Sequence, residues 1–162
     1  MLAFNAIKPI DRDEIIQCLS SSTNDHVRNI LTNDTVHPAD LLHLLPRYTR
    51  HASQTIVGAI YVIIGSHQDG RWLVYVGSSS NLASRLIRHA YVKNGIRNGT
   101  AAADQAQTIH HTLGQPGWTD TYHIAADFTS SLRSKHLHGL KVIIETLWIL
   151  LLGTLQTSRG KP

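Results

Sequence analysis

The sequence predicts an α+β fold: a small three-stranded antiparallel sheet flanked by helices, with an N-terminal helical extension. Three observations carry this expectation. Two strand-like runs, TIVGAIYVIIG and RWLVYVG, each bear one tyrosine and are separated by a short polar turn. The second feeds directly into SSSNLASRLIRHAYVK, a helical pattern with a cationic polar face. The chain then offers a third strand-like run, Tyr122 to Phe128, before an apolar helical stretch.

Residues 1–52 read as the helical extension and residues 53–162 as the main domain. Asp11 or Asp13 caps a helix to about Leu19, with Ile15, Ile16 and Leu19 on one side. Ser21–Asn24 breaks it, and Asp25 to Leu31 forms a further turn or two. Pro38 suits the first turn of a helix over Ala39–Leu45, and Pro46 stops it. Gln54 to Ile64 is rich in Ile, Val and Tyr, which favours a strand. Gly65–Gly70 supplies a turn, and Arg71 to Val76 returns as the second strand of a hairpin. Gly77 lets the backbone turn, and Ser78–Asn81 offers N-caps for a helix from Leu82 to about Asn94. Gly95 is the expected C-cap. Residues 97–118 read as loop with a helix around Ala101–His111, and the closing helix spans about His138 to Leu152.

Composition narrows the function. The 162 residues are 42% hydrophobic, enough for one folded core, and the net charge is +4. The excess is uneven: residues 53–162 hold ten Lys/Arg against five Asp/Glu, whereas residues 1–52 hold five against six. Between Asp69 and Asp104 no acidic residue occurs, yet Arg71, Arg85, Arg88, Lys93 and Arg97 do. A one-signed patch of this kind favours a polyanionic partner, most often nucleic acid. A single cysteine, Cys18, excludes intrachain disulfides and cysteine-only metal clusters. No secretory pattern opens the chain, and Leu140 to Leu152 is too short to span a bilayer. An intracellular protein, nuclear or cytoplasmic, is expected.

Arg85, His89 and Lys93 fall at i, i+4 and i+8, along one helical face. Arg85 can present a planar fork of donors to a phosphate, and His89 can exchange a proton near neutral pH. A solvated basic face is the plain alternative. Glu145 is set among Ile143, Ile144, Leu147 and Trp148, where an ionised carboxylate needs a cation. Lys141, one turn back, and a divalent metal are equal candidates. Tyr61 and Tyr75 on neighbouring strands are packing residues unless their hydroxyls converge with Arg85 and Glu145. His110-His111 and His136-x-His138 lack zinc-site spacing and read as surface histidines.

Together, Gly58-Ala59-Ile60-Tyr61, Tyr75-Val76-Gly77, Asn81-Leu82, Arg85-Leu86, His89 and Glu145 resemble the GIY-YIG nuclease superfamily over about residues 55–155. Ala59 stands where the first motif usually has glycine, and valine replaces isoleucine in the second. No asparagine follows Glu145, so Gln156 would have to fill that family position.

The resemblance implies a divalent-metal-dependent DNA endonuclease hydrolysing phosphodiester bonds. Tyr61, Tyr75, Arg85, His89 and Glu145 would be its catalytic residues. Glu145 would bind Mg²⁺ or Mn²⁺, Arg85 would stabilise the transition state, and Tyr61 would activate water. Tyr75 would orient water or phosphate. Arg88, Lys93 and Arg97 would hold backbone phosphates. A catalytically inactive nucleic-acid-binding module on the same fold is the alternative. DNA is the expected partner, with no membrane; a homodimer and further domains in a longer parent chain are compatible with the pattern.

Overall fold

The computed structural model describes residues 12–23, 25, 28, 37–49, 56, 58–100, 108–129 and 137–152. In chain order these form α1 (Arg12–Ser22), α2 (Pro38–Leu44), β1 (Ala59–His67) and β2 (Trp72–Ser79). They continue with α3 (Leu82–Arg97), α4 (Thr108–Gly114), β3 (Trp118–Asp127) and α5 (Leu137–Leu151). The expected helix turns over Asp25–Leu31, the start of the first strand at Gln54, Gln156 and the pair His136/His138 lie outside the described residues or side chains.

The sheet is antiparallel with order β2-β1-β3. Its central strand carries Ala59-Ile60-Tyr61-Val62-Ile63-Ile64, buried on both faces because helices cover both. Successive side chains alternate between the two faces. Ile60, Val62 and Ile64 meet Val76, Phe128, Ile144 and Trp148, along with Leu41 and Leu45 from α2 and its cap. Ala59, Tyr61 and Ile63 meet Leu82 and Leu86 of α3, Ile109 and Leu113 of α4, and Trp118. The sheet therefore separates an α5 core from an α3/α4 core.

Residues 37–49 belong to this body. Pro46 accepts from the Ile124 amide at 3.0 Å and Tyr48 donates its amide to Tyr122 at 2.8 Å, which covers the free edge of β3. His123, 1% exposed, adds a ring hydrogen bond of 3.0 Å to the Leu45 carbonyl.

Two glycines, Gly65 and Gly95, differ from their expected roles. Gly65 lies within β1 rather than in the turn; a Cβ there would come within 2.5 Å of Leu113, so its bareness seats α4 on the sheet. Gly95 lies inside α3, which runs on to Arg97. Gly99, with φ +68°, ends that helix instead. Its amide donates to Ile96, and Thr100 donates to Gly95 at 2.7 Å, closing the last turn in a Schellman arrangement. Gly117, at φ +84°, allows β3 to start at Trp118, four residues before the expected Tyr122. No described helix is long and apolar enough to cross a membrane.

Candidate active site

Tyr61 is the centre of a polar cluster on the α3/α4 side of the sheet. It stands directly across from Gly77 in the β1–β2 pairing. A Cβ on Gly77 would lie 2.5 Å from the Tyr61 hydroxyl and 2.9 Å from the Tyr75 ring. The glycine of the Tyr-Val-Gly run is thus a packing requirement as well as a bend: it lets a phenol lie against the strand.

Asn81 caps α3 by accepting the Ser84 amide at 3.0 Å, which fixes where the helix begins on β2. From that start, one turn brings Arg85 over Tyr61, and the next brings His89. The Arg85 Nε–H donates to the Tyr61 oxygen at 3.2 Å. His89 Nε2 lies 2.7 Å from the same oxygen. Tyr75 closes the group, its ring 6.2 Å from that of Tyr61 and 6.0 Å from that of His89. Four of the five catalytic residues named from the sequence therefore meet.

Their electrostatics revise the role expected of Tyr61. The residue is fully buried. Burial pushes its phenol well above the ordinary value, the hydrogen bond from Arg85 opposing, so the hydroxyl keeps its proton. It has no surface open to an attacking water. Arg85 and Tyr75 are the partly exposed members. The Arg85 guanidinium is pushed up, chiefly by its hydrogen bond to Tyr61. His89, 3% exposed, is pushed down to about 4 by burial and then by His110, Arg85 and Arg88. It is a neutral imidazole at neutral pH.

His110 was not among the expected site residues, and it is not a surface histidine. It is 8% exposed and its Nε2 lies 2.6 Å from His89 Nδ1. The signal was one of two adjacent histidines in a seven-residue helix, too short for periodicity to reveal which face is buried.

Lys93 also departs from expectation. Rather than standing free for phosphate, it pairs with Asp120 at 2.5 Å, with side-chain exposures of 13% and 6%. It also lies 5.8 Å from the Tyr122 ring. Arg88 and Arg97 are exposed, Arg97 with one long contact of 3.4 Å to the Leu113 carbonyl.

Glu145 stands apart from the cluster. It is half-buried on α5 and accepts the Ser78 hydroxyl at 2.6 Å. Ser78 pairs across from Ile60 of the α5 core, whereas Gly77 pairs across from Tyr61 on the other side. The carboxylate and the Tyr61 cluster thus flank the same end of β2 from opposite faces. Lys141 does not neutralise Glu145; its ammonium turns to the Ser80 hydroxyl at 2.5 Å. Among the described residues no cation lies within ion-pair distance of Glu145, and its second oxygen has no protein partner. A hard carboxylate left in this state suits a Mg²⁺ or Mn²⁺ ion that takes its remaining ligands from water and phosphate. No group of three His, Cys, Asp or Glu side chains that could hold a metal exists among the described residues. No family model, curated protein or solved structure matches this chain.

Proposed function

We propose that this protein is a divalent-metal-dependent DNA endonuclease that hydrolyses phosphodiester bonds. The observation that carries the reading is the seating of Arg85. Its Nε–H is fixed on a buried tyrosine, beside a second, partly exposed tyrosine, in a stretch of chain without acidic residues from Arg71 to Ala103. A preorganised guanidinium is suited to charge that grows on a phosphoryl group as it is attacked, because no reorganisation is needed at that moment. Tyr75 is the phenol placed to orient water or phosphate. Tyr61 and His89 act behind Arg85, as positioning residues. Glu145, with one oxygen uncommitted, is the residue that would hold the cation. A bound Mg²⁺ or Mn²⁺ would polarise a phosphoryl oxygen and stabilise the leaving oxygen. The reading requires the scissile phosphate to lie over the end of β2, within reach of both faces. Arg88 and Arg97 would hold neighbouring phosphates without reading sequence.

Incubating the protein with supercoiled, branched and single-stranded DNA and Mg²⁺ or Mn²⁺ tests this. Nicking lost in Arg85→Ala and in Glu145→Ala is expected. Equal cutting by Glu145→Ala and wild type would end the metal assignment.

The opposite-face position of Glu145 favours a second reading, a nucleic-acid-binding module without cleavage. Salt-sensitive DNA binding with no product in any of these assays supports it.

A further inference from the structure

We propose that Lys141 and Ser80 form a phosphate-binding site just past the end of β2, on the α5 side, and that it takes one backbone phosphate of a DNA strand. The assignment to DNA rests on the function proposed above; the capture of phosphate does not.

Lys141 is out of place as a packing residue. It stands three and seven positions before Ile144 and Trp148, which are 0% and 1% exposed, so it shares the core-facing stripe of α5. Lys141 itself is 7% exposed. Methionine or leucine would fill that position at no electrostatic cost. An enclosed ammonium is expensive unless an anion or several acceptors satisfy it. The long stem lies in the core, and the ammonium reaches the Ser80 hydroxyl, on an exposed residue. An ammonium carries three hydrogens. One goes to Ser80, and no acidic side chain among the described residues lies within ion-pair distance of Lys141.

Glu145, four residues on, has the spacing of an ordinary helical ion pair with Lys141. Instead the two charges are held by different serines: Ser78 donates to Glu145, and Ser80 accepts from Lys141. Those serines are two residues apart, at most about 7 Å along the backbone. An ammonium and a carboxylate kept this near and unpaired leave a gap. It suits a ligand whose own charges alternate, a phosphate with a cation on one of its oxygens.

Helix α3 adds to the attraction. Ser80 immediately precedes its N-cap, Asn81, and the first turn of the helix holds no acidic residue. The partial positive charge of that terminus therefore lies beside Ser80. Ser80 also falls within the acid-free run from Arg71 to Ala103. Glu145 opposes an anion here until its own charge is covered, which gives the test a sign.

Inorganic phosphate titrated into the ¹⁵N-labelled full chain at constant ionic strength, read at the amides of Ser80 to Ala83, tests the site. Saturable shifts are expected in wild type. Binding should be tighter in Glu145→Gln, where the like charge is gone. Adding Lys141→Met to that variant should weaken phosphate about tenfold or more, the factor for one hydrogen bond to a charged group. Ser80→Ala should weaken it roughly two- to tenfold, as for a neutral one. Lys141→Met should fold with a denaturation midpoint at or above wild type, because the stem is replaced and an enclosed charge removed. It should also lower the salt slope of duplex DNA binding by about 0.9, one released counterion. No saturable shift in Glu145→Gln, or equal phosphate affinity with lysine and methionine at position 141, overturns the proposal. Phosphate binding lost in Lys141→Met with the DNA salt slope unchanged overturns the assignment to a DNA strand. A wild type that binds phosphate and DNA in this way and cuts none would end the nuclease reading and leave the phosphate site standing.

Discussion

The hydroxyl of Tyr61 occupies the space that a side chain at position 77 would need, 2.5 Å from where a Cβ would stand. The contact is with a ring fixed in a core, so neither partner yields at little cost. Gly77→Ala should destabilise the fold by about 1–3 kcal/mol, the range for forcing an extra methyl into a packed interior. It should also tilt Tyr61 away from Arg85. Urea unfolding reads the first effect and DNA nicking the second. Wild-type values in both would show that β2 adjusts, and that the glycine serves only the bend.

Tyr61→Phe removes one oxygen and unseats two partners, the Arg85 Nε–H and His89 Nε2. The variant should be less stable by about 1–3 kcal/mol, the penalty for buried groups left unpaired. Cleavage should fall about 100-fold or more, as when a preorganised charge-stabilising donor is lost. Arg85→Lys should fall nearly as far, because an ammonium offers no planar fork with one nitrogen held from behind. Full activity in Tyr61→Phe would mean that Arg85 is oriented by something else.

Much of this cluster was legible before any coordinates. Tyr61, Tyr75, Arg85 and His89 could be grouped because a hairpin followed at once by a helix leaves few ways to place the helix. Gly77 was visible as a bend, but its contact with a phenol depends on cross-strand register, which a single run of residues does not declare. Glu145 was expected to face the cluster. Which side of a sheet receives a closing helix is decided by the whole core, here by Ile144 and Trp148 packing with Val62 and Val76. His110 was missed because α4 buries it by docking, with Gly65 making the room. The helix-ending role of Gly99 went to Gly95 because both follow plausible last turns, and only the hydrogen bonds distinguish them.

Histidine burial gives the protein an acid limit. The pKa of His89 falls from 6.5 to about 4 on folding, and His110 and His123 shift the same way. A base that resists protonation in the folded state adds stability in full above its unfolded pKa. That contribution declines as pH falls from about 6.5 towards 4 and is gone below. For His89 alone, the loss between pH 7 and pH 5 should be about 2 kcal/mol, from a shift worth 1.36 kcal/mol per pH unit. Urea titrations at the two pH values, compared with His89→Gln, isolate it. A pH dependence identical in wild type and variant would mean that His89 titrates normally.

The two outward arginines and the inward lysine should separate by salt. Arg88→Ala or Arg97→Ala should reduce the salt slope of DNA binding by about 0.9 each, one released counterion per phosphate contact. Lys93→Met should leave that slope unchanged, since its charge is spent on Asp120. Its effect should be on stability instead. Asp120 would be left buried and uncompensated, a loss of about 3–5 kcal/mol for one broken partner of an enclosed ion pair. Lys93→Met combined with Asp120→Leu should recover most of that loss, because no buried charge then remains. If Lys93→Met weakens DNA binding with a smaller salt slope while stability holds, the lysine faces phosphate after all.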